Sequence, residues 1–227
     1  MKEASWVIFF ILNFSIVFNL WANPPCSRWN SENLIYASKT SFEEALNLSH
    51  PGQRITKVRQ GLKWAEGCVK SFPDEEGCHY YRAILGALAL EQNLLGYQKA
   101  LKKIVADLDF VIQKKAAYDE AGALRIKGFI YLKAPQFSLK KKAVIRDLDL
   151  ADDLASKALA LYPKNRDNRF LKACVLFEKN QYIEAQALLI PLKKEYKSIK
   201  PLNHQEVKDL KEIEDKLNKI SKLKSKH

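Results

Sequence analysis

Glycine and proline are scarce in this sequence of 227 residues, which contains eight of each. A fold of many short strands joined by hairpins is therefore disfavoured, because those turns depend on these two residues. Leucine, alanine, lysine and glutamate dominate instead, and all four favour helices. The length suits one substantial domain rather than two. Together these features predict an all-α protein.

Motifs of common catalytic and cofactor sites are also missing. The chain has no GxSxG, P-loop, GxGxxG or CxxC motif, and its histidines are not at metal-ligand spacing from a cysteine or carboxylate. Two acidic pairs are candidates for acid–base catalysis. Catalytic use is disfavoured, because the pairs flank a basic run at a helix start, where the helix dipole stabilises acids. These pairs are Asp147 with Asp149 and Asp152 with Asp153. We therefore expect no enzyme, no catalytic residue, no metal and no cofactor.

Negative charge is in deficit, with 26 Asp and Glu against 38 Lys and Arg, and the formal net charge is +12. Such a balance suits anionic partners, which include nucleic acid, acidic lipid and small organic acids. The alternative is a basic surface that is only solvated. Composition alone does not decide between the two.

The N-terminus carries a short apolar run, from Trp6 to about Leu20, followed by Ala22 and Pro24. This pattern is typical of a secretory signal peptide, here residues 1–22. A membrane anchor needs about 20 apolar residues, and polar side chains interrupt this run. The predicted location is therefore the periplasm. Binding to DNA or RNA is then disfavoured, because an exported protein meets little of either.

Four cysteines remain to be explained: Cys26, Cys68, Cys78 and Cys174. Lipid attachment at Cys26 is disfavoured, because Asn-Pro-Pro precedes it where a lipoprotein has a Leu-rich box of small residues. In an oxidising compartment an even number of cysteines indicates disulfides. Cys68 and Cys78 flank a helix-breaking Phe-Pro-Asp, so we predict a disulfide between the end of one helix and the start of the next. Cys174 is interpreted as a buried apolar residue, and the remaining pairing stays open.

A repeat of 34 residues separates Ala151 from Ala185 and Ala158 from Leu192. This is the tetratricopeptide (TPR) period, in which small residues let paired helices approach closely. We predict a TPR-like solenoid of about four antiparallel helix pairs within residues 23–200. The predicted pairs are 31–48 with 54–70, 77–92 with 96–116, 119–133 with 141–161, and 166–179 with 181–198.

A charged amphipathic helix is predicted within residues 201–227. Asn203 and Glu206 have the spacing of a capping box, and an apolar stripe runs from Val207 to Leu223. We expect this helix to cover the open end of the stack, since terminal repeats need a polar outer face. A partner-binding coiled coil is the alternative.

Three further stretches are distinctive: CHYYRAILGALAL, ALRIKGFIYLKAP and LALYPKNRDNRFLKACVLFEKNQYIEAQALL. In these stretches the chain resembles the periplasmic T-component family of TRAP (tripartite ATP-independent periplasmic) transporters. The resemblance covers roughly residues 60–198. It implies TPR-like helices around a cavity or pore, and a role in helping a solute-binding protein handle small organic-acid or apolar ligands. Many members are lipoproteins, whereas this chain lacks a lipobox.

First helices line the concave face of a TPR stack, so their exposed residues contact ligands. An apolar groove with two cations there would suit an amphiphilic anion. The alternative is that the aromatic residues are core between repeats. The candidate binding residues are Tyr80, Arg125, Phe129, Lys133, Phe170 and Phe177.

The third pair is opened at its hinge, where Ala134-Pro135 is followed by an excess of roughly 11 residues over the repeat period. Cations border this opening, at Lys133, Lys140, Lys141, Lys142 and Arg146. They are interpreted either as a solvated loop or as a basic gate over a ligand cavity or a docking edge.

The predicted function is that of a non-enzymatic periplasmic accessory protein. It would bind a small anionic or amphiphilic ligand, a solute-binding partner of a TRAP-type transporter, or both. A protein–protein scaffold of the cell envelope is the alternative function. The oligomeric state stays open, a homo-oligomer included.

Overall fold

A computed structural model describes residues 29–90, 96–138 and 142–224. Within these ranges the chain forms nine α-helices and no strand, which confirms the all-α prediction. The helices are α1 (Ser31–Asn47), α2 (Pro51–Ser71), α3 (Glu76–Leu90), α4 (Tyr97–Lys115), α5 (Tyr118–Lys133), α6 (Leu148–Leu161), α7 (Arg166–Glu178), α8 (Tyr182–Ser198) and α9 (His204–Lys224). The predicted signal peptide, Cys26, Lys140 and Lys141 lie outside the described residues. No helix of the described part is long and apolar enough to cross a membrane.

The helices pack as consecutive pairs, α1 with α2, α3 with α4, α5 with α6 and α7 with α8. The first helices of the pairs also touch in succession, from α1 through α3 and α5 to α7. The ninth helix packs on α8, and it also contacts α1. A salt bridge of 2.8 Å between Arg166 Nη2 and Glu206 Oε1 ties its first turn to α7.

Small side chains mark the close approaches between these helices. Ala151, Ala158 and Ala185, which define the 34-residue period, are all fully buried. At Gly128 on α5 even a methyl group has no room, because a Cβ atom would lie 2.6 Å from Cδ2 of the fully buried Leu171. The repeat pattern therefore corresponds to a packing requirement in the core.

Helix ends follow the capping residues. Asn203 and Glu206 form the predicted capping box, since the backbone N–H of each donates to the side chain of the other at 2.9 Å. The prediction for α6 is wrong at its start, which lies at Leu148 rather than residue 141. Asp147 is the reason, because its backbone is extended and its carboxylate accepts the N–H of Leu150 at 2.9 Å.

Cys68 and Cys78 lie at disulfide distance, with 2.01 Å between their sulfur atoms, as predicted. The bond would join the last turn of α2 to the first turn of α3. Cys174 is buried on α7 with a free thiol, which agrees with its interpretation as a buried residue. The disulfide therefore encloses only the short connection that contains Phe72 and Pro73.

Reduction of Cys68–Cys78 should lower the stability of the fold. Closing a loop across ten positions in sequence restricts the unfolded chain, and its loss should cost about 2–3 kcal/mol. Urea unfolding with and without dithiothreitol measures this difference. Cys68→Ala/Cys78→Ala is the control, because it should be insensitive to the reductant. An equal effect of the reductant on both proteins would contradict the disulfide.

Gly128→Val should destabilise the fold by about 2–3 kcal/mol, because the added side chain would overlap Leu171 in a packed core. Gly52→Val is the matched control, since Gly52 is exposed at the start of α2. Thermal unfolding followed by circular dichroism compares the two variants. A loss of stability no larger than that of the control would show that α5 and α7 can separate to make room.

Candidate functional site

The six residues predicted to line a ligand groove take different positions in the structure, and two of them are buried. Tyr80 and Phe170 are each only 2% exposed. Tyr80 donates a hydrogen bond to Asp119, and Phe170 lies between the rings of Phe129 and Tyr196. Neither side chain is accessible to a ligand in this structure, so for these two the core interpretation holds and we remove them from the candidate site.

Arg125 has a structural role in the structure. Its Nη1 donates to the side-chain oxygen of Asn168 at 3.0 Å and to the backbone oxygen of Glu120 at 3.4 Å. Glu120 lies in a left-handed turn of three non-glycine residues, Asp119 to Ala121, with φ of 47°, 52° and 65°. Such residues cost of order 1 kcal/mol or more each. Arg125 therefore holds a strained turn together with Asn168, whose side chain is fully buried.

Lys133 does line an open space, which we call the α5–α9 cleft. It has a volume of about 430 Å³ and lies between the end of α5, the hinge segment, the end of α7 and the middle of α9. Its lining residues are Leu132, Lys133, Ala134, Pro135, Gln136, Arg146, Glu178, Glu212 and Lys216. The cleft therefore opens at the place where the sequence suggests a basic gate.

Residues 142–147, which precede α6, lie against the end of α5, and this places Arg146 at the cleft. Pro135 ends α5 because it cannot continue the helical hydrogen-bond ladder. The N–H groups of Arg146 and Asp147 then donate to the backbone oxygens of Pro135 and Tyr131, at 2.9 and 3.0 Å.

A side chain from α4 also holds the residues that precede α6. The side-chain amide of Gln98 donates to the backbone oxygen of Val144 at 3.1 Å and accepts from its N–H at 3.0 Å.

Charges of alternating sign run along the cleft. Arg146 Nη2 is 2.5 Å from Glu178 Oε2, and Lys216 Nζ is 3.4 Å from Glu178 Oε1. Lys216 Nζ is also 3.5 Å from Glu212 Oε1, and Lys133 Nζ is 2.8 Å from Glu212 Oε2. Three cations thus share two carboxylates. When all five are ionised, the residues that line the cleft carry one positive charge in excess, and Asp209, which is outside the lining, acts electrostatically on Lys133.

Burial and pairing set the charge states of these groups. Burial is the largest single influence on the pKa of Lys133 and would lower it, but the hydrogen bond to Glu212 and the negative charges of Glu212 and Asp209 together outweigh burial and raise this pKa. Burial alone would raise the pKa of Glu212, but Lys133 holds it below its ordinary range. Burial raises the pKa of the Cys174 thiol, so it stays protonated and donates to Glu212 Oε1 at 3.6 Å. Lys133 and Glu212 are therefore both charged at neutral pH.

Aromatic rings lie against two of the three cations. The ammonium nitrogen of Lys216 is 4.4 Å from the ring centroid of Phe177, and that of Lys133 is 5.5 Å from the ring centroid of Phe129. Cation–π attraction helps to offset the loss of water around these ammonium groups. The two phenylalanines therefore support the charged side chains from behind and are not themselves among the residues that line the cleft.

Sequence reasoning missed Glu178, Glu212 and Lys216. One signal was available, because Lys216 is three positions from Ile213 and four from Ile220, on the apolar side of α9. In the structure it is only 8% exposed. A lysine on the buried face of an amphipathic helix needs an acidic partner. Which acids provide it depends on contacts across 38 positions in sequence, as for Lys216 and Glu178. Periodicity does not reveal such contacts.

Comparison with known proteins assigns no family, since no family model matches the chain and no curated protein matches its sequence. The resemblance to the TRAP T component therefore stays a prediction. In the described ranges no group of three or more His, Cys, Asp or Glu residues could hold a metal ion.

Asp209, one turn before Glu212 on α9, should make stability depend on pH. Burial raises its pKa from 3.8 to about 6, so ionisation costs the folded state more than the unfolded state, and stability should fall between about pH 4 and pH 6. Asp209→Asn removes this cost. Its amide oxygen can still accept from Gln205, and its N–H₂ group would take the place of the oxygen that accepts from Tyr196, whose hydroxyl can itself accept. We expect the variant to be more stable than the wild type by about 1–2 kcal/mol above pH 7, with allowance for partial exposure.

The gain should vanish near pH 4, where Asp209 is protonated in the folded wild type. Urea unfolding of both proteins at the two pH values measures it. An equal gain at both would show that the substitution acts through packing rather than through ionisation.

Proposed function

We propose that this protein is a non-enzymatic TPR-like binding protein that takes a small organic anion in the α5–α9 cleft. The unbalanced positive charge of the cleft is the observation that carries the proposal. A bound carboxylate would supply the missing negative charge and accept charge-assisted hydrogen bonds. The cleft volume of about 430 Å³ lies within the range of small-molecule sites, roughly 300–1,000 Å³.

Two cations in the cleft have capacity for a ligand. Lys133 has a side chain that is 56% exposed, so its ammonium group can be reached from solvent. Arg146 uses only Nη2 for an acceptor among the described side chains, and its side chain is 22% exposed. Donors that remain unused in a site of excess positive charge favour an incoming anion.

The apolar part of the lining favours an amphiphilic anion. Leu132, Ala134 and Pro135 form one wall of the cleft, beside Lys133. A carboxylate on the cations would place an attached hydrocarbon chain against this wall, where its burial is favourable. Amphiphilic carboxylates should therefore bind more tightly than acetate does.

The setting of this function is inferred from the sequence. The 34-residue period supports a TPR-like solenoid, and the apolar N-terminal run supports export to the periplasm. The resemblance to the TRAP T component supports an accessory role beside a periplasmic solute-binding protein, which would deliver or receive the anion. The structural observations that support the proposal concern the cleft alone.

A protein-binding scaffold is the second candidate, and one surface favours it. A groove of about 420 Å³ lies between α1 and α2, where the rings of Trp29 and Trp64 stack with centroids 4.8 Å apart. Tyr36 is 71% exposed beside them. Exposed aromatic residues are common in protein interfaces. If this function holds, Tyr36→Ala should abolish capture of an envelope partner while carboxylate binding is unchanged.

Isothermal titration with acetate, succinate and octanoate tests the cleft. The wild type should bind octanoate more tightly than acetate. Lys133→Gln/Arg146→Gln should weaken octanoate binding by about tenfold or more, the loss of at least one charge-assisted hydrogen bond. Lys142→Gln/Lys194→Gln is the matched control, since it removes the same charge from exposed positions that do not line the cleft.

Thermal unfolding shows whether the cleft variant is folded, which matters because Lys133 pairs with Glu212. If the wild type binds none of the three anions, or if the folded cleft variant binds octanoate as tightly as the control does, the proposed function is wrong.

A further inference from the structure

The outer surfaces of α2 and α4 carry a group of exposed cations that we call the basic face. Within the described ranges none of their side chains forms a hydrogen bond or an ion pair. The basic face consists of Arg59, Lys63 and Lys70 on α2, and of Lys99 and Lys102 on α4. Elsewhere in the structure most lysines and arginines have an acidic partner, as the α5–α9 cleft illustrates.

The two helices present these cations side by side. Arg59, Lys63 and Lys70 are separated by four and seven positions, so they share one face of α2. A salt bridge of 3.4 Å joins Lys103 on α4 to Glu66 on α2. Both helices also border a shallow groove of about 260 Å³. The two helices therefore approach each other at Lys103 and Glu66, and the unpaired cations lie on neighbouring helices.

Acidic groups do not compensate the basic face. Glu66 is the one acidic residue of α2, and Lys103 already pairs with it. On α4, Asp107 is buried against Arg82 and His79, and Asp109 pairs with Lys127. The unpaired cations thus keep their full charge towards solvent.

The other outer helices differ from this surface. The exposed residues of α6 include Asp149 and Asp153, each of which pairs with a lysine. The outer side of α8 exposes Ile183 and Ile190.

We propose that the basic face docks on an anionic phospholipid surface. Its cations are spread over two helices and do not converge on a pocket, which suits the diffuse charge of lipid headgroups. The basic face itself contains no aromatic side chain, so its own residues do not provide the stacking that holds single-stranded nucleic acids. The inference is independent of the cleft, whose lining belongs to other helices.

Sedimentation of the full chain with lipid vesicles tests the proposal. The protein should bind phosphatidylcholine vesicles that contain phosphatidylglycerol, and added salt should weaken this binding. Each basic residue near a bilayer strengthens binding by roughly fivefold. Lys63→Gln/Lys99→Gln should therefore lower the partition coefficient about twenty-five-fold.

Lys194→Gln/Lys211→Gln is the matched control, because it gives the same net charge by removing exposed lysines outside the basic face. We expect it to bind nearly as the wild type does. Vesicles of phosphatidylcholine alone report any contribution of the apolar run from Trp6 to about Leu20, which is the same in every variant.

Three results would overturn the proposal. Equal losses in the two variants would mean that only net charge matters. Equal binding to vesicles with and without phosphatidylglycerol would exclude an electrostatic contact. Tighter binding of the wild type to an oligonucleotide or to polyglutamate than to the anionic vesicles, lost in Lys63→Gln/Lys99→Gln, would assign the basic face to another kind of partner.

Discussion

Lys216 is a charge buried between helices, and the arrangement of the C-terminal half depends on it. An unpaired ammonium group at that depth would be strongly destabilising, so its partners must be held in place. Glu178 and Glu212 meet this need, and each of them engages a further cation on the α5 side. The chain of charges therefore links α5, α7 and α9, and it fixes where α9 lies. This series of ion pairs ends at the exposed Lys133, so it extends from the buried Lys216 to the solvent.

A second constraint lies at the other end of α5, where three consecutive residues adopt left-handed conformations. Two side chains offset the cost of this turn. Asn168 on α7 donates to the backbone oxygen of Glu120, and Arg125 on α5 donates both to that oxygen and to the side chain of Asn168. Asn168 also donates to the backbone oxygen of Ala158 on α6. The start of α5 is thus held by polar contacts and its end by ionic ones, with close packing at Gly128 between them.

Local patterns predicted more of the fold than of the site. The buried alanines of the 34-residue period, the pairing distance of Cys68 and Cys78 and the capping box at Asn203 each depend on neighbours in sequence or on a simple spacing. Tyr80 and Phe170, which were predicted to line a groove, are buried in the structure. Side chains on a first helix can face either the groove or the core, and periodicity does not distinguish these positions. Lys133 and Arg146 could be proposed from the sequence as cations of a binding site, because they border the long connection that follows Ala134-Pro135. Their carboxylate partners come from α7 and α9, and only tertiary packing brings those residues to the cleft.

The contact between α1 and α9 changes how such a stack should come apart. In an open array each helix pair touches only its neighbours, so the ends fray first and unfolding spreads inwards. Here the last helix also touches the first, which joins the two ends of the chain. Unfolding of α1 or of α9 would expose the surface that the other helix covers. Each of the two helices therefore stabilises the other. The protein should therefore lose its structure more cooperatively than an open stack of helix pairs would.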